Sequence, residues 1–422
     1  MPPNTLVPRA AAWAALACGS ALMAFTGVVQ AEDTPLSLTL SQNLRRDSNL
    51  LRSTNGQSDT VSTTAVQGNF NKAYGRQVYK ASARFGRIRY DRFGSQLDND
   101  AKDLNASVSS EFASNWLASL NASDATSLNA PQDNPINNRL LRNIRHYKDV
   151  GATLQYGNGG TWALVGSYDH NRLNYSGDFF QFQNADQNSQ GLRLVYNATD
   201  LLNFGVGPRY VRTRYPNNSA VTEAKDTNLD FTVNWQVSGL SNLNALMSWR
   251  DSKQTSVSNR KGNAVTGSLG WNYTPRGIVS YGANLTRATN ADRFQNVTQY
   301  AGFVQPGIQN VALDTITTTM NLSASAQWTG KLSSGVSLGL TRYELNNTRD
   351  RTSLANVIFL SDGGSTSSSS RLRSLSFSTN YAAYRWLGLN CALQFYNQSA
   401  DLNRPKYSGH VIDCGASITL DP

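Results

Sequence analysis

Hydrophobic and polar side chains alternate along much of the chain, and residues 263–287 show the pattern most clearly. In the first half of this stretch Val265, Leu269 and Trp271 share one parity, while the other parity holds small polar residues. Residues 274–277 form a turn, and the alternation resumes after it. Because successive side chains of a strand point to opposite faces, the stretch predicts an amphipathic β-hairpin.

The same period of two predicts eighteen strands, and no segment has the spacing of an amphipathic helix. The predicted strands are residues 36–49, 59–71, 77–91, 103–114, 116–127, 143–157, 161–174, 188–199, 202–214, 227–238, 243–254, 263–273, 278–290, 316–329, 335–346, 372–384, 386–398 and 409–420.

The predicted connections alternate in length. Every second one is short: 72–76, 115, 158–160, 200–201, 239–242, 274–277, 330–334 and 385. The others are longer and polar, such as 130–142, 176–187, 291–314 and 347–371. Outer-membrane barrels have short periplasmic turns and longer external loops, whereas a soluble sandwich or propeller has no reason to separate loop lengths in this way.

Large aromatic side chains cluster beside the predicted short turns. Barrels carry girdles of aromatic residues at the two membrane interfaces, so these residues are predicted to form the periplasmic girdle. The members are Trp116, Trp162, Trp235, Trp271, Tyr273, Trp328, Tyr384 and Trp386.

Composition agrees with a barrel. Only 39% of the 422 residues are hydrophobic, which is little for a large soluble core but suits a barrel with a polar lumen.

Residues 1–31 have a single charge at Arg9, an apolar run and a small-residue site ending at Ala31, which predicts a Sec signal peptide; a retained helical anchor is the alternative.

The fold predicted from these features is an all-β, up-and-down antiparallel transmembrane barrel of about 18 strands. It would occupy residues 32–422 after a signal peptide at 1–31. The expected location is the outer membrane of a Gram-negative bacterium, in contact with membrane lipid and lipopolysaccharide.

The net charge of +10 makes the basic residues candidates for binding anions in the lumen, because rings of Arg and Lys favour anions in pores. A charge on the lipid face costs about 2–4 kcal/mol near the midplane, which favours inward placement. A bulge at Gly86 would turn two further arginines inward; without it they would meet lipid or lipopolysaccharide. The lumen candidates are Lys80, Arg84, Arg87, Arg89, Arg193, Arg209 and Arg250.

Two alternatives accompany this prediction. Arg212 and Arg214 have the outward parity near the outer rim, where lipopolysaccharide phosphate is their expected partner. The lumen arginines would also produce little net field if they pair with lumen acids such as Asp230 and Glu111.

Cys391 and Cys414 fall opposite each other if the last hairpin is centred near residues 402–403. Paired Cβ atoms on neighbouring strands come within bonding range, and the compartment is oxidising, so a cross-strand disulfide is predicted, with two free thiols as the alternative.

Sites for other chemistry are scarce. The sequence predicts no catalytic residue, no metal or cofactor site and no nucleic-acid partner. His146 and His170 are the residues on which a barrel enzyme would depend.

The segments QNLRRDSNLLR, SDTVSTT and YGRQVYKASARFGRIRYDRF in the N-terminal third resemble the EpsL-type outer-membrane proteins of bacterial exopolysaccharide operons. The resemblance implies a barrel that conducts newly made polysaccharide across the outer membrane. It also implies periplasmic and inner-membrane export proteins as partners.

The function expected from the sequence is therefore export of an exopolysaccharide, anionic in character, through a polar and net-basic lumen. The first alternative is a general or anion-selective diffusion porin for small solutes. The others are a barrel enzyme and a structural anchor for a secretion complex.

Overall fold

The structure, a computed structural model, describes residues 35–131, 140–218, 221–256, 260–293, 299–300, 303–304, 312–347, 366–400 and 405–420. The predicted signal peptide, residues 1–31, lies outside these ranges, as do most of the predicted loops 291–314 and 347–371. Within the described ranges, no helix is both long and apolar enough to cross a membrane.

Strands account for nearly all of the described chain. They are β1 (Leu36–Asp47), β2 (Asp59–Tyr74), β3 (Gln77–Tyr90), β4 (Asn99–Phe112), β5 (Trp116–Leu128), β6 (Ile144–Tyr156), β7 (Trp162–Tyr175), β8 (Ala185–Thr199), β9 (Leu202–Arg214), β10 (Val221–Ser238), β11 (Ser241–Ser256), β12 (Arg260–Tyr273), β13 (Val279–Arg293), β14 (Gln299–Tyr300), β15 (Phe303–Val304), β16 (Ala312–Gln327), β17 (Leu332–Asn347), β18 (Thr366–Tyr384), β19 (Leu387–Gln398) and β20 (Tyr407–Leu420).

All strands except β14 and β15 belong to one 18-stranded sheet, in which each strand pairs antiparallel with its neighbours in sequence. β14 and β15 pair only with each other. The sheet closes where β1 pairs with β20, from Leu38 opposite Leu420 to Asp47 opposite Val411. Closure leaves no unpaired strand edge, which is the condition for a sheet to span a membrane. The predicted eighteen-stranded antiparallel barrel is confirmed.

The two ends of the barrel differ as predicted. One end carries only tight turns, and Gly75–Arg76 and Asp200–Leu201 are among the shortest of them. Gly75 has a φ of +60°, a conformation that glycine adopts without steric cost. The other end carries the longer connections, including a short helix α1 (Gly94–Leu97) and a 3-10 helix at Asp178–Gln183.

Direct strand partners share a face, so parity can be followed around the whole barrel. Leu40 lies opposite Val66 on β2 and Ile418 on β20, and Val66 lies opposite Phe85 on β3. These side chains belong to the large set of exposed hydrophobic residues. We therefore assign their face to lipid, and the alternate, mostly polar face to the lumen.

Some strands extend beyond the range that alternation predicts. β10 begins at Val221 and has 18 residues, and β18 begins at Thr366 and has 19 residues. A tilted crossing needs only about 9–11 residues. The extra residues lie at the long-loop end, where neither face meets hydrocarbon and the hydrophobic pattern that marks a strand is lost.

The predicted bulge at Gly86 is absent, and the inward placement of Arg87 and Arg89 was wrong. β3 pairs with β2 and β4 without a register shift, so Arg87 and Arg89 share the outward parity of Phe85. Arg89 reaches Asp98 at 3.5 Å and Asp100 at 3.9 Å. These arginines lie at the long-loop end, beyond the depth at which charge on the outer face is costly.

Candidate functional site: the inner wall of the barrel

The inner wall is polar and carries charges of both signs. Among the strand residues whose side chains the structure describes, seven basic ones have the inward parity: Arg45, Lys80, Arg84, Arg145, Arg193, Arg209 and Arg250. Nine acidic residues share that parity: Asp47, Asp59, Asp103, Glu111, Asp149, Asp169, Asp226, Asp230 and Asp413. The acids offset the bases, so the predicted net-basic wall is not present on these strands.

Five of the seven predicted lumen residues do face inward: Lys80, Arg84, Arg193, Arg209 and Arg250. Lys80 and Arg84 are exposed on β3, and Arg84 lies directly opposite Asp103 of β4. The other three are Arg193 on β8, Arg209 on β9 and Arg250 on β11, and the last two form ion pairs with acids of β10. The alternative that lumen arginines pair with acids therefore describes this wall better.

Asp230 is the centre of the densest inward cluster. Its Oδ2 accepts a bond of 2.6 Å from Arg209 Nε, and its Oδ1 accepts bonds from Arg209 Nη2 at 3.2 Å and Ser248 Oγ at 2.6 Å. Two parallel contacts between guanidinium and carboxylate fix the orientation of both groups. Arg193 lies on β8, next to the strand of Arg209. Its aliphatic side-chain carbons lie over Gly205 of β9, where an added Cβ would stand 2.9 Å from Arg193 Cδ.

A second ion pair lies beside this cluster. Arg250 Nη2 is 2.9 Å from Asp226 Oδ2, and the two side chains are only 19% and 11% exposed. Asn228 lies between Asp226 and Asp230 on β10, and its direct partners are Arg250 on β11 and Arg209 on β9. The two arginines therefore lie on the inner wall at the level of the two acids. Arg209 and Arg250 are therefore paired with acids on the adjacent strand β10, and the predicted arginines do not form an open ring of positive charge.

The wall next to these arginines is acidic. Asp149 of β6 and Asp169 of β7 face the lumen, and Asn121 Nδ2 donates to Asp149 Oδ2 at 3.2 Å. Gly151 lies opposite Asp169, and a Cβ there would meet its Oδ1 at 2.7 Å. A small residue at this position lets polar side chains lie flat against the wall. Negative and positive patches thus lie side by side around the lumen.

Two connections at the long-loop end fold onto the inner wall. Leu50 and Leu51, from the β1–β2 connection, pack with Phe93 and Leu97 against Val61 of β2. We call these five residues the mouth cluster; each is no more than 8% exposed. Asp59 Oδ1 accepts the N–H of Arg92 at 2.9 Å, and its Oδ2 accepts that of Phe93 at 3.1 Å. An apolar cluster therefore covers the inner wall beside Val61.

Arg52 and Tyr396 hold the same connection to the closing strands. Arg52 Nη1 lies 2.8 Å from Asp47 Oδ1, and its guanidinium stands 3.9 Å from the centroid of the Tyr396 ring. Tyr396 also donates to Asp47 Oδ1 at 2.8 Å. Gly409, opposite Tyr396, leaves room for its hydroxyl, which an added Cβ would meet at 2.2 Å.

The outward face carries far more basic than acidic residues on the described strands. Among the strand residues whose side chains the structure describes, fourteen basic ones have the outward parity in the long-loop half: Arg46, Arg87, Arg89, Lys102, Lys148, Arg172, Arg212, Arg214, Lys225, Lys253, Arg287, Arg342, Arg371 and Arg373. Six acids accompany them: Asp100, Asp124, Asp186, Glu223, Asp251 and Glu344. We call this set the cationic belt; much of the net positive charge lies here and not in the lumen.

The predicted girdle residues lie at the short-turn end. Trp162, Trp235, Trp328, Tyr384 and Trp386 are between 44% and 61% exposed. Several girdle rings pack in pairs: Trp116 with Tyr156 and Trp162 with Tyr196 across strands, Trp271 with Tyr273 along one strand, and Tyr384 with Trp386 at a turn. The short-turn end thus carries the aromatic residues, and the opposite end carries the charged belt.

Cys391 and Cys414 are direct partners on β19 and β20, and a disulfide joins them with a Cα–Cα distance of 4.1 Å. Both have the outward parity, one strand from the closing pair of β20 with β1. The bond therefore links the last hairpin within the lipid-facing wall.

The two histidines on which an enzyme would depend have ordinary polar neighbours. His170 Nδ1 lies 2.9 Å from Asn188 Oδ1, and His146 Nδ1 lies 3.1 Å from Thr126 Oγ1. Both have the outward parity, on β7 and β6. Among the residues that the structure describes, no group of three or more His, Cys, Asp or Glu side chains is placed to hold a metal.

Several of these residues were missed by sequence reasoning. Asp226, Ser248, Asp47, Arg52 and Tyr396 gave no signal because each acts through a partner on another strand. The mouth cluster has apolar residues in loops, such as Leu50 and Leu51, which the alternation pattern does not address. The sequence indicated the cationic belt at Arg212 and Arg214, and at Arg87 and Arg89 only as the alternative to a bulge.

These features define an outer-membrane β-barrel of eighteen strands. No protein-family model matches the sequence. A comparison with curated proteins also gives no match.

Similar solved structures include the outer membrane protein OpdK of Pseudomonas aeruginosa, with 10% identity and a TM-score of 0.47, covering 91% of this chain and 98% of that one. The FrpB iron transporter of Neisseria meningitidis gives 10% identity and a TM-score of 0.47, with 92% and 82% covered. At this level the similarities carry no argument, and the fold assignment rests on the strand pairings of the chain itself.

Proposed function

We propose that this protein is a passive outer-membrane channel for polar solutes, with little preference for the sign of their charge. The observation that carries the proposal is the inner wall of the closed barrel, on which the described side chains include seven bases and nine acids. Barrels of 16–18 strands leave an aqueous channel, so the wall is in contact with passing solute.

The chemistry of that wall favours neutral, hydrogen-bonding molecules. Hydroxyl and amide groups such as those of Thr39, Gln67 and Asn121 line it between the charged groups. Weak donors and acceptors can exchange partners with sugar hydroxyls, and conduction requires sites that also release their ligand. Paired arginines, by contrast, have little capacity left to concentrate anions.

Planar-bilayer recording tests this proposal. The expected result is stable conductance with a potassium-to-chloride permeability ratio near one, together with uptake of neutral mono- and disaccharides into proteoliposomes. Strong anion selectivity, or the absence of any conductance, would contradict it. The absence of conductance would instead favour a barrel that only anchors a secretion complex.

A second candidate is export of an exopolysaccharide, and the observation that favours it is the EpsL-type resemblance of the N-terminal third. Periplasmic and inner-membrane export proteins would then be the partners. The balanced wall suits a neutral polymer at least as well as an anionic one. In a deletion strain, loss of surface polysaccharide supports export, whereas normal polysaccharide with altered small-solute uptake supports the diffusion channel.

A further inference from the structure

Like charges lie directly opposite one another within the cationic belt. Arg212 of β9 is the direct partner of Lys225 on β10, and Lys225 is the direct partner of Lys253 on β11. Like charges at facing positions destabilise a sheet. Arg212, Lys225 and Lys253 thus form a row of positive charge across three adjacent strands.

One carboxylate serves several of these cations. Glu223 contacts Arg212, lies 3.2 Å from Lys225 Nζ and lies 3.8 Å from Arg214 Nε. Glu223 is only 15% exposed, whereas Arg214 and Lys225 are 59% and 46% exposed. The acid, largely covered by its neighbours, holds the cations together while leaving their outer sides open, and the group keeps an excess of positive charge.

A similar arrangement occurs elsewhere on the outward face. Arg342 of β17 lies directly opposite Arg371 of β18. Glu344 lies 2.9 Å from Arg342 and 3.8 Å from Arg287. A single acid again positions more than one exposed base on the outward face, so the arrangement is a repeated feature of this wall.

The height of these groups on the barrel identifies the environment that they meet. Lys225 is four residues from Leu229, which is outward and opposite Trp249. With about 3.3 Å per residue and a tilt of about 40°, Lys225 lies roughly 10 Å beyond that apolar band. The long-loop end faces the cell exterior in barrels of this kind. The row is therefore level with the head groups of the outer leaflet.

We propose that Arg212, Arg214, Lys225 and Lys253 form a binding site for the phosphate groups of lipid A, the anionic anchor of outer-leaflet lipopolysaccharide. Guanidinium groups bind phosphate in a bidentate manner, and lysines add point charge. A bound phosphate supplies the negative charge that the row lacks. The proposal requires only the barrel in its membrane and does not depend on what passes through the lumen.

Titration of the purified full-length protein in nanodiscs with bisphosphorylated lipid A tests the site. We compare the wild type with the double variant Lys225→Gln/Lys253→Gln. Each cation near an anionic lipid surface contributes about fivefold in affinity, so the double variant should bind roughly 25-fold more weakly. Dephosphorylated lipid A should bind both proteins equally weakly, and inorganic phosphate at the same concentration should not compete.

Two further variants control the test. Lys72→Gln removes an outward lysine at the short-turn end and should bind lipid A like the wild type. Lys225→Arg/Lys253→Arg keeps the charge and should keep the affinity, which separates charge loss from misfolding. Equal affinity in the wild type and the Gln double variant overturns the proposal, and so does equal affinity for phosphorylated and dephosphorylated lipid. Competition by inorganic phosphate would overturn it as well, because it would assign the site to free anions.

Discussion

Tyr396 Oη donates a hydrogen bond of 2.8 Å to Asp47 Oδ1, a carboxylate that lies 349 residues earlier in the chain. The bond connects the end of the first strand with the last hairpin, on either side of the β1–β20 closure. Asp47 is fully buried and also binds Arg52. Barrel closure and the inward fold of the first connection therefore depend on the same side chains.

Tyr396→Phe should loosen this contact. A hydrogen bond to a charged group is worth about 1.5–3 kcal/mol, and Asp47 keeps its ion pair with Arg52, so we expect a loss near the lower end. Thermal unfolding should shift downward, and trypsin should cleave after Arg52 faster than in the wild type. Tyr381→Phe, on the lipid-facing side, is the matched control. Unchanged cleavage at Arg52 in Tyr396→Phe would show that the tyrosine does not hold the connection.

Gly409→Ala tests the same contact from the other strand. The added Cβ would stand 2.2 Å from Tyr396 Oη and 2.8 Å from Ser48 Oγ, so the ring must move and its bond to Asp47 must break. We expect destabilisation at least as large as that of Tyr396→Phe. Gly68→Ala is the control because no atom lies within 4 Å of the Cβ that this substitution adds. Equal melting temperatures for the two alanine variants would contradict the proposed packing.

The strands could be predicted because lipid and water impose opposite requirements on alternate residues. Leu229, Phe231 and Val233 face lipid, and the residues between them face the lumen. The alternation of apolar and polar residues in the sequence therefore predicts which side chains face outward. The order of short turns and long loops then follows from chain length alone. None of this requires knowledge of which residue faces which across two strands.

The inner wall could not be predicted in the same way. The pairing of Arg209 with Asp230 requires the register of β9 against β10, and no hydrophobic pattern fixes polar partners. The placement of Arg87 and Arg89 failed for another reason. The cost of an outward charge depends on its depth in the membrane, and these residues lie at the long-loop end, where that cost is small.

Cys391→Ser should weaken the last hairpin. The disulfide closes a loop with a sequence separation of 23, for which loop entropy predicts about 3 kcal/mol of stabilisation. Thermal unfolding of the wild type should fall on addition of reductant, while that of Cys391→Ser should be low in both conditions. Cys414→Ser should behave like Cys391→Ser, since either change removes the same bond. Insensitivity of the wild type to reductant would show that the bond contributes little to stability.

Arg209→Gln and Asp230→Asn should change ion selectivity in opposite directions. Asp230→Asn removes the negative charge that pairs with Arg209 and lies near Arg193, so chloride permeability should rise relative to potassium. Arg209→Gln removes the positive charge that pairs with Asp230, whose bond from Ser248 remains, and should favour potassium. Removing one member of a part-buried pair also costs stability, about 3–5 kcal/mol when burial is complete and less here. Arg212→Gln, which lies on the outward face of the same strand, should leave the reversal potential unchanged. A shift of the same sign in both lumen variants would mean that the cluster does not face the permeation path.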